Sequence, residues 1–305
     1  MRNSIWHKGS FLVFLGALFW SLNAPLVIFL DLDPLLMCGL RSLIAAAVLL
    51  PFLRPRKIVW NFWTVIYMAS FAALCMSLII SLKMVSAAIA VGMQYTAAVW
   101  IFLVHVLWGG RVTPQSAVPI GVIFLGVIIF MSTGASTGDW KGIMIALSEG
   151  VFFAVMSVSS KRTVGENPLG LTALANLATG LMVFIFLPPK FGDLAALSLS
   201  DWIIMLILGA VQTGMGYSFY NMGLAKTTSQ KASIIALWEM ILGPLWVAIF
   251  LKNYPSATVL IGFLVILTGM LLHSGLQLMD AKRANEKQPC REQCCAPETN
   301  LRENT

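Results

Sequence analysis

Apolar stretches about as long as a bilayer is thick recur from one end of the chain to the other, each closed by a proline, a glycine or a charge. Breaks of that kind place ten spans, near residues 10–30, 35–53, 60–81, 85–107, 115–133, 142–160, 168–187, 201–220, 231–250 and 257–278. The runs are too long for barrel strands, which would be about 10 residues each with alternating polarity. A helix needs about 20 apolar residues to cross roughly 30 Å of hydrocarbon. The pattern therefore predicts an all-α polytopic membrane protein. Residues 280–305 are mostly polar and read as a disordered tail.

Composition agrees with the pattern. The 305 residues are 58% hydrophobic and 11% charged, where a soluble domain carries about a quarter charged residues. The formal charge of +7 raises nucleic acid as a partner, but the basic residues scatter through short loops without a stripe of interleaved aromatics. Topology explains them better, because Lys and Arg collect on the cytoplasmic side. With the N-terminus inside, 15 of the 20 Lys and Arg residues face the cytoplasm, only Lys83, Lys141, Lys190 and Lys252 face out, and Arg41 falls within the second span. Both termini are thus expected to be cytoplasmic. Arg2 and Lys8 precede an apolar stretch, but no small-residue cleavage site follows, so the first helix reads as retained.

The two halves echo each other. Lys8-Gly9 opens the first span and Lys141-Gly142 the sixth. PLLMCGLRSLIAAAVLLPFLRP (34–55) lies over PLGLTALANLATGLMVFIFLPP (168–189) without a gap, and SAAIAVGMQY (86–95) over KASIIALWEM (231–240). The second match sets Gln94 opposite Glu239. Five spans per half is an odd number, so the second half must enter the membrane from the opposite side. Residues 1–137 and 138–279 are thus expected to form two inverted-topology five-helix repeats, an arrangement on which many secondary transporters are built.

This order of features resembles the ten-helix EamA-type branch of the drug/metabolite transporter superfamily over about residues 10–278. The resemblance is carried by Gly16, Trp20, Ser21 and Asn23 in GALFWSLN (16–23), by the Pro34-to-Arg41 stretch, and by the small-residue openings at Ser86-Ala87-Ala88 and Lys231-Ala232-Ser233. Departures are visible. Glu239 is followed by Met240 where the family often has Glu-Pro, and the proline comes later, at Pro244. The resemblance implies export or exchange of small metabolites, amino acids or drugs, commonly driven by a proton gradient or a counter-substrate. It also implies a bacterial plasma (inner) membrane location. A monomer and a homodimer both fit.

Three ionisable groups fall near mid-membrane. At 1.5 Å per residue, Glu239 lies roughly 12 Å in from Lys231, Arg41 about 10 Å from Pro34, and Glu149 roughly 12 Å from Lys141. One such group facing lipid costs on the order of 2.5 to 3.5 kcal/mol. Two readings stand. Arg41 neutralises one carboxylate while the third group is protonated or hydrogen-bonded, or else Glu239, alone or with Arg41, lines a cavity. A carboxylate there would bind an amine or cationic head group and, because burial disfavours the charged form, could also carry a proton. Arg41 would hold an anionic group of the substrate, and the two together fit a zwitterion. Gln94, Glu149, Trp20, Asn23, Tyr95, Trp238 and Tyr217 complete the candidate set for substrate binding or coupling. Trp238 adjoins Glu239 and so points about 100° away from it. Pro244 lacks an amide hydrogen and is expected to kink the ninth helix, unless it is an ordinary membrane-helix proline.

Other chemistry finds little support. No His/Asp/Glu cluster has metal-ligand spacing, and no nucleophile elbow or phosphate loop is present. No cofactor is expected, and ATP-driven transport has no segment large enough for a nucleotide domain. His105 reads as packing or carbonyl bonding more readily than as a proton relay. Cys290, Cys294 and Cys295 allow metal capture or lipidation, but an idle tail accounts for them too. A secondary transporter of a small molecule, in contact with membrane lipids and with protons as a coupling ion, is the leading reading. A multispanning enzyme acting on lipids and a non-transporting scaffold are the alternatives.

Overall fold

The computed structural model describes residues 2–137, 139–163, 167–188, 192–195, 197–224, 226–227 and 229–294. Among them are ten helical segments long and apolar enough to cross a membrane: Gly9–Phe29, Pro34–Phe52, Phe62–Met84, Ala87–Leu107, Pro114–Thr133, Trp140–Ser160, Pro168–Phe186, Leu199–Leu224, Lys231–Leu251 and Ala257–Asp280. Each lies within a few residues of its expected place. Large apolar side chains such as Leu107, Phe186, Ile185 and Leu264 are exposed on the outside. A soluble monomer rarely shows so continuous an apolar surface, whereas lipid accepts it.

The helix starts are written in local chemistry. Asp33 precedes Pro34 and accepts from the amides of Leu35 (2.9 Å) and Leu36 (3.0 Å), while Asn167 precedes Pro168 and accepts from Gly170 (2.9 Å). Proline at the first helical position gives up an amide that would have no partner there. Asn61 with Thr64, and Ser198 with Asp201, form reciprocal capping boxes at the third and eighth spans. The second helix of each half therefore starts with one device, and the third with another. The last helix runs Ala257–Cys294, so the backbone stays helical past 280, into the segment read as a disordered tail. Alanine, Lys, Arg, Glu and Gln over 281–288 are good helix formers, a propensity the polar composition masks. Residues 295–305 lie outside the described residues.

The closest packing is between helices of different halves. The first span lies on the eighth and ninth, the sixth on the third and fourth, the second on the seventh and the fifth on the tenth. Gly16 lets the first and eighth spans touch: a Cβ there would lie 2.9 Å from the Tyr220 backbone nitrogen and 3.0 Å from the Gly216 carbonyl. Small residues at such seams allow the backbone approach on which membrane packing relies.

Three spans depart from regular α-helix. The first breaks at Leu22, between helices Arg2–Ser21 and Asn23–Phe29. Pro25 has no amide for the Ser21 carbonyl and its ring crowds that carbonyl. The fourth breaks at Tyr95–Thr96, between Ala87–Gln94 and Ala97–Leu107, where the Thr96 hydroxyl donates to the Met93 carbonyl at 2.7 Å and competes with the helical ladder. The eighth contains a π-helical stretch, Ile207–Met215. The ninth, by contrast, is continuous over Ser229–Leu251 with Pro244 inside it. Irregular backbone is thus found in the first, fourth and eighth spans, which were not singled out from the sequence.

Candidate functional site

The breaks converge. Trp20, Ser21, Asn23 and Ala24 flank the break in the first span, Val91 and Gln94 precede that in the fourth, and Glu239 and Gly243 lie on the ninth; with Leu78 they line one small cavity. Its volume for the centre of a water-sized sphere is about 10 Å³, room for about one water molecule. Non-helical backbone at membrane depth is tolerated where it is buried or lines a cavity, and both conditions hold here.

Glu239 supplies the carboxylate. The Tyr95 hydroxyl lies 3.2 Å from Glu239 Oε2 and 3.3 Å from the Ala236 carbonyl, so its one hydrogen serves two acceptors. Trp20 packs on Tyr217 (centroids 4.9 Å apart) and Tyr220 (4.7 Å), and both tyrosines stand within electrostatic reach of Glu239. An acid bordered by aromatic rings suits a cationic or amine group. Trp20 Nε1 is buried without a hydrogen-bond partner. Ser21 donates to the Leu18 carbonyl (2.7 Å) and accepts from Trp246 Nε1 (3.0 Å), tying the first break to the ninth helix.

Arg41 stands behind this wall. It is 3% exposed, and its Nη1 donates to Asn23 Oδ1 at 2.8 Å. Cys38, Cys75 and Tyr217 surround it. Among the described residues it makes no ion pair with either Glu239 or Glu149. The internal salt bridge that the sequence allows is therefore not formed. Glu149 is fully buried elsewhere, at the seam of the third and sixth spans, where Ser81 Oγ donates to its Oε1 at 2.5 Å and its Oε2 has no partner.

The structure thus brings together Glu239, Gln94, Trp20, Asn23, Tyr95 and Tyr217, with Arg41 one residue behind. It leaves out Glu149 and Trp238. The latter is 47% exposed and packs edge-on against Phe14, as its angular offset from Glu239 predicts. Pro244 borders a separate small cavity with Ser86, Ala87 and Ala88. His105, read from the sequence as packing or bonded to a carbonyl, is exposed near the end of the fourth span. Sequence reasoning missed Ser21 as part of the cavity wall. The signal that could have found Ser21 is Pro25, four residues on.

The model of the EamA-like transporter family matches residues 7–132 and 140–275. The chain belongs to the EamA-like transporter family. This EamA-like protein is 27% identical over 216 residues to an uncharacterized transporter of Archaeoglobus fulgidus, covering 70% of this chain and 73% of that one. It is 26% identical over 198 residues to the uncharacterized transporter YxxF of Bacillus subtilis, with 63% of each chain covered. A protein of known crystal structure superposes with a TM-score of 0.61 at 19% identity, over 90% of this chain and 99% of that one, which shows a shared fold. The EamA-like protein is accordingly a polytopic membrane transporter and not an enzyme. Among the described residues, no three His, Cys, Asp or Glu are grouped to hold a metal.

Proposed function

We propose that this EamA-like protein exports or exchanges a small organic metabolite, amino-acid-like, cationic or drug-like, by alternating access about the Glu239 cavity. Two inverted five-helix repeats, residues 1–137 and 138–279, would rock about it, with a proton gradient or a counter-substrate as the driving force. The observation that carries the reading is the convergence on one cavity of Glu239, its repeat counterpart Gln94, and the two helix breaks beside Asn23 and Gln94. Room for about one water is too little for a metabolite, so binding requires the walls to part, as alternating access provides. The packing supports the repeat: exchanging the halves turns the first-on-eighth contact into sixth-on-third, and first-on-ninth into sixth-on-fourth. The second-on-seventh and fifth-on-tenth contacts map onto themselves. The Lys and Arg distribution supports a cytoplasmic location for both termini and the tail, which terminal tags tested for protease access on sealed vesicles would check.

The experiment is thermal stabilisation of the purified protein by a panel of amino acids, polyamines, quaternary and aromatic cations, nucleosides and organic anions. One class is expected to raise Tm, and Glu239→Gln to abolish that rise while the variant stays folded. A ligand that stabilises wild type and E239Q equally would refute the role of Glu239 and of this cavity.

A further inference from the structure

A buried guanidinium without a carboxylate is an expensive thing for a membrane protein to keep, and Arg41 leaves even its Nε without a partner. Its hydrogen bond to Asn23 fixes something else. Arginine only donates, so the Asn23 atom 2.8 Å from Arg41 Nη1 must be the carbonyl oxygen. The amide nitrogen is then the other end of a planar group whose residue lines the cavity, and among the described residues that nitrogen has no partner. One wall of the cavity therefore offers the Asn23 amide as donor, while the ninth helix offers the Glu239 carboxylate as acceptor.

We propose that Arg41 is a positioning residue: by holding the carbonyl of Asn23 it keeps the amide NH₂ toward the cavity, so that the site selects ligands with an ammonium for Glu239 and, close to it, an oxygen acceptor for Asn23. The ligand class is the α-ammonium carbonyl compound, an amino acid or its amide, in preference to a simple amine. This rests on the reading of the cavity as the substrate site. Without Arg41 the Asn23 side chain is free to flip, and it then presents an acceptor as readily as a donor.

The test is half-saturation of thermal stabilisation of the full-length protein by matched probes: L-phenylalanine, L-phenylalaninamide, phenethylamine and 3-phenylpropionate, and the corresponding set built on leucine. The amide is the deciding probe, since its acceptor is neutral and does not respond to the loss of a positive charge at 41. Wild type is expected to take the amino acid and the amide at least tenfold more tightly than the amine, with the carboxylate weakest. Arg41→Met should remove the preference for the amide over the amine, Arg41→Lys should retain part of it, and Asn23→Leu should remove it with Arg41 intact. An amide-to-amine ratio unchanged in R41M or in N23L overturns the proposal, as does a wild type that prefers the amine or is stabilised by none of the probes. Should R41M fail to fold, N23L decides alone. Failure of the underlying reading looks different: the probes bind, and Glu239→Gln leaves their binding unaltered.

Discussion

The seam between the first and eighth spans separates packing from binding, because its two glycines meet different neighbours. A Cβ added at Gly216 would lie 2.7 Å from Cδ1 and 2.8 Å from Nε1 of Trp20. Ordinary contact begins near 3.4 Å, so the ring must move by about 0.7 Å. Tyr217 and Tyr220 pack on Trp20, and the free direction is the cavity. A Cβ at Gly16 meets the Tyr220 backbone nitrogen and the Gly216 carbonyl, which yield only if the helices separate. Overpacking costs about 1–3 kcal/mol, and alanine returns about 1 kcal/mol of helix propensity. Gly16→Ala, with no flexible neighbour, should fall at the upper end, losing about 2 kcal/mol net. Gly216→Ala should stay within about 1 kcal/mol of wild type, yet weaken at least tenfold the binding of whichever ligand E239Q abolishes. Reversible unfolding in mixed detergent micelles gives the first quantity and ligand-dependent Tm the second. The reasoning is refuted if G216A binds like wild type, or if G16A is no less stable than G216A.

Two further outcomes follow from single residues. Lys252, just past the ninth helix, has φ 52°, and Gly109, past the fourth, has φ 76°; since the left-handed region costs an L-residue about 1–2 kcal/mol, Lys252→Gly should stabilise by about 0.5–1 kcal/mol and Gly109→Ala destabilise by about 1 kcal/mol, read from unfolding midpoints. Glu149→Gln keeps the acceptor for Ser81, and Trp238→Ala removes a half-exposed ring remote from the cavity, so both should bind ligand within about threefold of wild type; a tenfold loss in either would move that residue into the site.

The spans were legible in the sequence, because hydropathy is a local property written residue by residue, and Gln94 and Glu239, aligned there, line one cavity. The direction of Trp238 was legible too, from helical geometry. The breaks were not, since the conspicuous proline, Pro244, sits in an unbroken helix while Pro25 and the Thr96 hydroxyl mark breaks in two others. Nor was the partner of Arg41, which depends on how the first and second spans come together and not on either alone.

That partner matters for mechanism. Charge counting allowed an ion pair, one way to hide Arg41 and a carboxylate together. The fold gives each ionisable group a neutral partner: Asn23 for Arg41, Tyr95 for Glu239, Ser81 for Glu149. Stripping one member from a buried ion pair costs about 3–5 kcal/mol, and a site closed by such a pair would meet that cost each time a ligand displaced it. A neutral hydrogen bond is worth less, about 0.5–1.5 kcal/mol net and somewhat more to a charged group. On the proposed reading, Glu239 would exchange the Tyr95 hydroxyl for a ligand ammonium, and regain it on release, without a barrier that would trap the protein in one state. On the same reading Arg41, bonded to the Asn23 amide behind the wall, would shape the cavity without competing for the carboxylate that the ligand needs.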